Sequence, residues 1–484
     1  MSRLGCTVKK TASDGAKIKS GTERARKSAS WALQLGGIGL CVLASTAWAD
    51  DSVTTNAYYR TGVNFSKGST KGTCFRMTGP IIPRYGNECD HYGELMIHKA
   101  YKADEIQYRA HLNLAFSADG NDTWEPTYDS GTKDADLTLS YREAWVEAQG
   151  VFGGNSSVWV GKRFYDRWYL EMWDFFITNH NGSGFGTENL DVGLGKLNAA
   201  ILRHYQNGSR QPVHLAADVQ WHELEALGGK WALRYQYSQK GSKPNADTEN
   251  EFYAIEGHAI NLRYAAPLGS ANYQTYLQYG TGLHGARADG TGGQTGSTFN
   301  AYWTSSLAKA DPNGEAINKA WKKSSSLRWT NDLMLFPNSP TFNLNLGLSY
   351  TLADFGGALG ANGQKADDRS TLAVGAHPTY YLSKIWAVDA DIFYASIDKG
   401  LPLSPASGVT ASSDPIDREM QKLTLGLVLR PGIGQGMKPQ IRFYITEVAW
   451  NKEQKGDLLI TEGNPVYADS TRGTTYGVQG EVWW

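Results

Sequence analysis

From Phe342 to Leu352 every second residue is a large apolar one: Phe342, Leu344, Leu346, Leu348, Tyr350 and Leu352. The residues between them, Asn343, Asn345, Gly347, Ser349 and Thr351, are small or polar. A period of two places the two sets on opposite faces of a β-strand, so this segment separates two solvents. The pattern returns at Leu423, Leu425, Leu427 and Leu429, and again at Leu137, Leu139 and Tyr141 against Thr138, Ser140 and Arg142. Alternating strands of about ten residues, separated by turns and long polar loops, are what a transmembrane barrel requires, because lipid leaves no water to satisfy an unpaired backbone group. A soluble β-sandwich or secreted lectin also alternates. The C-terminus favours the barrel: Tyr476, Val478, Gly480, Val482 and Trp484 share one face, and Gln479, Glu481 and Trp483 the other, so the chain ends on an aromatic in an alternating strand. Parity then puts Trp484 toward lipid and Trp483 toward the lumen.

The intervening segments fit the same plan. Residues 240–251, 284–321, 354–369, 399–418 and 451–474 are polar and rich in Gly, Asp, Ser or Lys, whereas 337–340 and 382–384 are short enough for tight turns. Aromatics make up 12% of the chain, a supply that barrels concentrate in girdles at both membrane interfaces. One apolar stretch, Trp31 to Ala49, follows a basic leader and ends in the small-x-small triplet Ala47-Trp48-Ala49. Residues 1–49 therefore read as a secretory signal peptide and 50–484 as the barrel domain. Its removal takes eight of the 47 Lys and Arg but two of the 48 acids, so 39 basic residues face 46 acidic ones, a net charge of −7. Such a surface repels phosphate backbones, and nucleic acid is not an expected partner. Cys74 and Cys89 remain after cleavage. In an exported chain they are expected to form a disulfide around a loop of about 15 residues, worth about 3 kcal/mol in the chain-entropy model. A zinc site is the poorer alternative, since the pair lacks metal-ligand spacing.

The densest chemistry lies in residues 161–176, where Lys, Arg, Asp and Glu interleave with Phe, Tyr and Trp without any hydrophobic period. Val158 to Arg163 suits a strand, so Tyr165 onward is expected to be a loop at its end, with the glycines at 182, 184 and 186 allowing a sharp return. Planar aromatic faces suit the apolar faces of sugar rings, and Arg, Asp and Glu suit their hydroxyls. The competing role for these residues is packing and salt-bridging of a structural loop. The glycine-rich segments lack the spacing of a dinucleotide site or P-loop, and there is no nucleophile elbow or His-Glu-x-x-His. No enzyme activity, cofactor or metal is expected.

Four segments carry a specific resemblance: Arg84 to Leu95 (RYGNECDHYGEL), Trp159 to Arg167 (WVGKRFYDR), Glu188 to Leu197 (ENLDVGLGKL) and Gly480 to Trp484 (GEVWW). Through them the chain resembles the maltoporin or sugar porin family of bacterial outer membranes. The resemblance implies an all-β transmembrane antiparallel barrel of 18 strands with an inward-folded third loop, a homotrimer in outer-membrane lipid, and passive diffusion of small-molecule sugars. It implies an aromatic track at Tyr58, Tyr92, Trp124 and Trp483. The charged constriction would comprise Arg60, Arg84, Glu94, Arg142, Arg167, Glu171, Asp174 and Phe176. Parity agrees on the first strand, where Tyr58 and Arg60 share a face opposite Tyr59, Thr61, Val63 and Phe65.

Departures from the family pattern bear on which sugar is carried. Phe176 stands where a constriction tyrosine is expected, Glu171 where a histidine is, and Tyr169 and Asn179 replace two aspartates. The constriction has thus lost a hydroxyl and two acids, which favours a shorter or differently linked sugar over long maltodextrins.

Overall fold

The computed structural model describes residues 53–77, 82–119, 137–170, 172–173, 175–178, 180, 182–205, 212–239, 256–282, 284–285, 322–354, 356, 368–400, 416–434, 438–456, 460–461 and 464–484. The leader, Trp124, Glu171 and Asp174 lie outside them. In chain order the strands begin with β1 (Val53–Ser66), β2 (Asp90–Ala103), β3 (Ile106–Asp119), β4 (Leu137–Gln149), β5 (Ser157–Arg163), β6 (Trp168–Leu170) and β7 (Phe175–Thr178). Next come β8 (Gly182–Asp191), β9 (Lys196–Tyr205), β10 (Pro212–Ala226), β11 (Gly229–Ser238), β12 (Gly257–Leu268) and β13 (Ala271–Gly282). The last are β14 (Ser325–Leu335), β15 (Phe342–Asp354), β16 (Arg369–Tyr381), β17 (Trp386–Gly400), β18 (Ile416–Leu429), β19 (Gln440–Trp450) and β20 (Arg472–Trp483).

All but β6 and β7 belong to a single antiparallel sheet of 18 strands, in which β1 pairs with both β2 and β20. Tyr58 opposes Trp483 and Phe65 opposes Tyr476 across that seam. Ala57 and Trp484 complete it with reciprocal backbone hydrogen bonds of 3.1 and 3.2 Å. The sheet has no free edge, so the sandwich alternative is excluded. On β18, Arg418, Met420, Lys422 and Thr424 are buried inside while Leu423, Leu425 and Leu427 are exposed outside, as the alternation requires.

Short turns cluster at one end of the barrel, at 104–105, 227–228 and 269–270. Leu227 (φ 54°) and Gly228 (φ 73°) both take the left-handed conformation that a two-residue hairpin of this hand demands. Long connections occupy the opposite end. Outer-membrane barrels keep short turns on the periplasmic side, which places Val53 and Trp484 there and the long loops outside the cell.

Among the described residues, two of the long connections turn into the lumen. The expected one follows β5 and forms the β6–β7 hairpin. Its fully buried Trp173 and its neighbour Met172 occupy a notch on the far wall made by Gly347 of β15 and Gly375 of β16, which are paired directly. A Cβ on Gly347 would meet Met172 Cγ at 2.6 Å and the Trp173 ring at 2.7 Å. Arg328 secures the hairpin by donating to the Ile177 carbonyl at 3.0 Å, and Arg234 by pairing with both Asp218 and Asp166.

The second inward element, residues 67–77 and 82–89, was not expected. Its Tyr85 hydroxyl rests where Gly426 has no side chain, and its backbone carbonyls accept from the wall: Pro83 from Lys422 at 3.1 Å, Tyr85 from Thr424 at 3.2 Å and Gly86 from Thr446 at 2.8 Å. The Cys74–Cys89 disulfide closes this loop with a Cα separation of 5.8 Å.

Because the notch admits no side chain, Gly347→Val should displace the hairpin tip while leaving the outer sheet intact. Single-channel conductance should change with heat-modifiable barrel mobility on gels retained. An unchanged conductance would show that the tip does not define the aperture.

Candidate functional site

The closing seam brings together residues from the two ends of the chain. Trp483 and Tyr58 face each other across it with ring centroids 4.3 Å apart, and Tyr92 follows at 5.9 Å from Tyr58. Tyr58 itself is only 6% exposed, with its hydroxyl donating to Glu481 at 2.8 Å, whereas Trp483 is 54% exposed. The open aromatic surface is therefore that of Trp483, with Tyr58 as a fixed spacer beneath.

Cations flank this strip. Arg60 grips Asp90 through two nitrogens at 2.7 and 3.1 Å, reaches Glu88 at 3.2 Å and lies 5.1 Å over the Tyr92 ring. Arg84, from the first inward loop, contacts the same Glu88 at 3.4 Å. Arg142 donates to the Tyr92 hydroxyl at 2.5 Å and sits 3.8 Å from Glu94, to which Tyr92 in turn donates. Arg167 is held differently: its guanidinium lies between the rings of Phe164 (4.0 Å) and Phe176 (3.7 Å) and makes no ion pair among the described residues. Burial, with Arg142 alongside, lowers its pKa from the ordinary arginine value. The structure thus joins Tyr58, Tyr92, Trp483, Arg60, Arg84, Glu94 and Arg142 in one cluster, and Phe164, shared by Arg142 and Arg167, links it to Phe176 on the hairpin.

One residue escapes the sequence pattern. Alternation from Leu137 places Glu143 toward lipid, yet it is buried at 7% exposure on the lumen side. The β3–β4 register shifts beside Asn113, so Arg142 is an extra residue and both it and Glu143 turn inward. Glu143 accepts the Phe164 backbone N–H at 2.8 Å, the Trp145 indole N–H at 3.3 Å and the Asn113 amide at 3.3 Å, and contacts His111 at 3.2 Å. Asn113 also donates to Glu94 at 2.7 Å, so the base of the inward hairpin is tied to the charged cluster. The available clue was a carboxylate in a lipid-face register, which is costly at membrane depth.

An 18-stranded closed barrel with an apolar exterior, a polar lumen and loops folded into it defines an outer-membrane porin. More particularly, the LamB porin family model matches residues 53–484, and the chain belongs to that family. Solved structures are similar to the chain at low identity. Pseudomonas aeruginosa OccK1 (OpdK) is 9% identical with a TM-score of 0.45, over 90% of this chain and 99% of that one. Acinetobacter baumannii OccAB1 is 9% identical with a TM-score of 0.47, over 91% and 99%. The trimer form of Vibrio cholerae OmpT is 10% identical with a TM-score of 0.38, over 90% and 99%. The protein is an outer-membrane porin, and its family and fold are those of a channel.

Glu143→Ala removes the acceptor of the Phe164 N–H and of two side-chain donors. It should destabilise the hairpin base by about 1–3 kcal/mol, the cost of leaving a buried donor unmet. The expected readout is a noisier open-channel current; a quiet current of normal size would show that Glu143 does not hold the hairpin.

Proposed function

We propose that this porin conducts short saccharides by passive diffusion, as an exported homotrimer whose residues 1–49 are a cleaved signal peptide. The single observation that carries the reading is the Trp483–Tyr58–Tyr92 strip bordered by Arg60, Arg142 and Glu94. Sugar rings present apolar C–H faces and equatorial hydroxyls, and an aromatic surface beside planar donors and carboxylate acceptors matches both. Trp124 and the carboxylates Glu171 and Asp174 complete the proposed path. Passive flux needs binding strong enough to recruit the solute and weak enough to release it, which one open aromatic face beside charged hydrogen-bonding groups supplies. Loss of two acids and a hydroxyl from the family pattern argues for mono-, di- or trisaccharides over long maltodextrins.

Liposome swelling with a panel of mono- to trisaccharides tests the reading. Sugar permeation above that of an unrelated solute of equal size is expected, and equal rates would reduce the protein to a general diffusion pore. In the same preparation Trp483→Ala should weaken sugar block of the ion current by about 1–2 kcal/mol, the scale of one aromatic face. Unaltered block would take Trp483 out of the path and leave it as an interfacial aromatic.

A further inference from the structure

Beneath the inward hairpin, at the short-turn end of the barrel, a cavity of about 730 Å³ lies against β10–β13, lined by Trp168, Glu225, Lys230, Arg263, Asn272 and Gln274. It sits on a different stretch of wall from the Trp483–Tyr58–Tyr92 strip, which belongs to β20, β1 and β2. Arg263 is its distinctive group. The guanidinium lies over the Trp168 ring, 5.9 Å from the centre of the Tyr276 ring. The Tyr276 hydroxyl donates to Gln274 Oε1 at 3.3 Å, and the Trp168 indole N–H donates to the same oxygen at 3.2 Å.

Every one of these partners is neutral, and among the described residues no carboxylate stands within ion-pair distance of Arg263. Asp166, whose charge Arg263 feels, is already paired with Arg234. Lys230 and Glu225 oppose each other directly across the β10–β11 hairpin, so their charges offset and Arg263 sets the sign of the cavity. Aromatic rings hold a guanidinium in place without neutralising it, and its paired donors remain matched to a planar or tetrahedral anion.

We infer that this cavity binds a sugar ring bearing an anionic substituent, a carboxylate or a phosphate, at Arg263, with Asn272 and Gln274 available to the ring hydroxyls. The inference rests on the saccharide reading above and narrows its substrate class. Arg167, backed by Phe164 and Phe176, and Arg263, backed by Trp168 and Tyr276, would present two such cations to a solute; neither has an ion pair among the described residues.

The test is current-noise analysis of the full protein in planar bilayers with glucose, glucuronate, glucose 6-phosphate and maltotriose. At least one anionic sugar should bind about five-fold more tightly than glucose, the margin between a charge-assisted and a neutral hydrogen bond. Preference for glucuronate alone assigns a carboxylate, and preference for the phosphate alone assigns a phosphate. Arg263→Gln should bring the anionic sugars to the level of glucose while maltotriose block stays unchanged, and Arg263→Lys should keep part of the preference. Should Arg263→Gln fail to assemble, Lys230→Gln, which leaves Glu225 uncancelled, should lower anionic-sugar affinity alone. Equal binding of anionic and neutral sugars, or a preference that survives Arg263→Gln, overturns the site. If maltotriose and all three monosaccharides leave the current untouched, saccharide passage itself falls and this site with it.

Discussion

The pairing of β1 with β20 is the interaction on which the rest of the molecule depends. In lipid an unpaired strand edge exposes donors and acceptors that nothing can satisfy, so the sheet must close before its outer face can be apolar. Closure with 18 strands fixes a circumference whose interior side chains cannot meet in the middle. A wide aqueous hole follows unless chain from the loops is brought inside. The β6–β7 hairpin and the loop that carries Tyr85 answer that geometric need, and the seam itself carries Tyr58 and Trp483 onto the resulting passage.

Holding loop backbone inside a polar lumen calls for a different chemistry from a soluble core. Asp391 pairs with Lys422, which also reaches the Pro83 carbonyl; Arg442 and Lys438 converge on Glu481, which takes the Tyr58 hydroxyl as well. Buried pairs of this kind offset a large desolvation cost and contribute little net stability, but breaking one leaves an uncompensated charge. Their contribution is to a unique position. Apolar contact does the same for the hairpin tip only where Gly347 and Gly375 leave room for Met172 and Trp173.

Alternation, turn placement and the terminal aromatic made the barrel legible in the sequence, and β15, β18 and β20 fall where period two puts them. Parity also separates Trp483 from Trp484. What alternation cannot encode is a register shift: the single extra residue at Arg142 reverses every assignment beyond it on β4 and conceals Glu143. The docking of residues 67–89 was equally hidden, because Gly426 and Thr424 read as ordinary small residues of a lumen face and acquire a role only once Tyr85 is brought against them from over 300 positions away. Long-range contacts between a loop and a wall leave no periodic trace.

The arginines of the lumen divide by what holds them. Arg60 and Arg234 are fixed by carboxylates, which neutralise them and occupy the donors a solute would use. Arg167 and Arg263 are fixed by ring faces, which contact the π-surface of the guanidinium and carry no charge to cancel it. The first kind sets the shape of the passage, while the second retains charge along it. The aromatic richness of the inward hairpin is thus an electrostatic property as much as a packing one: it lets the protein position cations in the lumen against rings that carry no opposing charge.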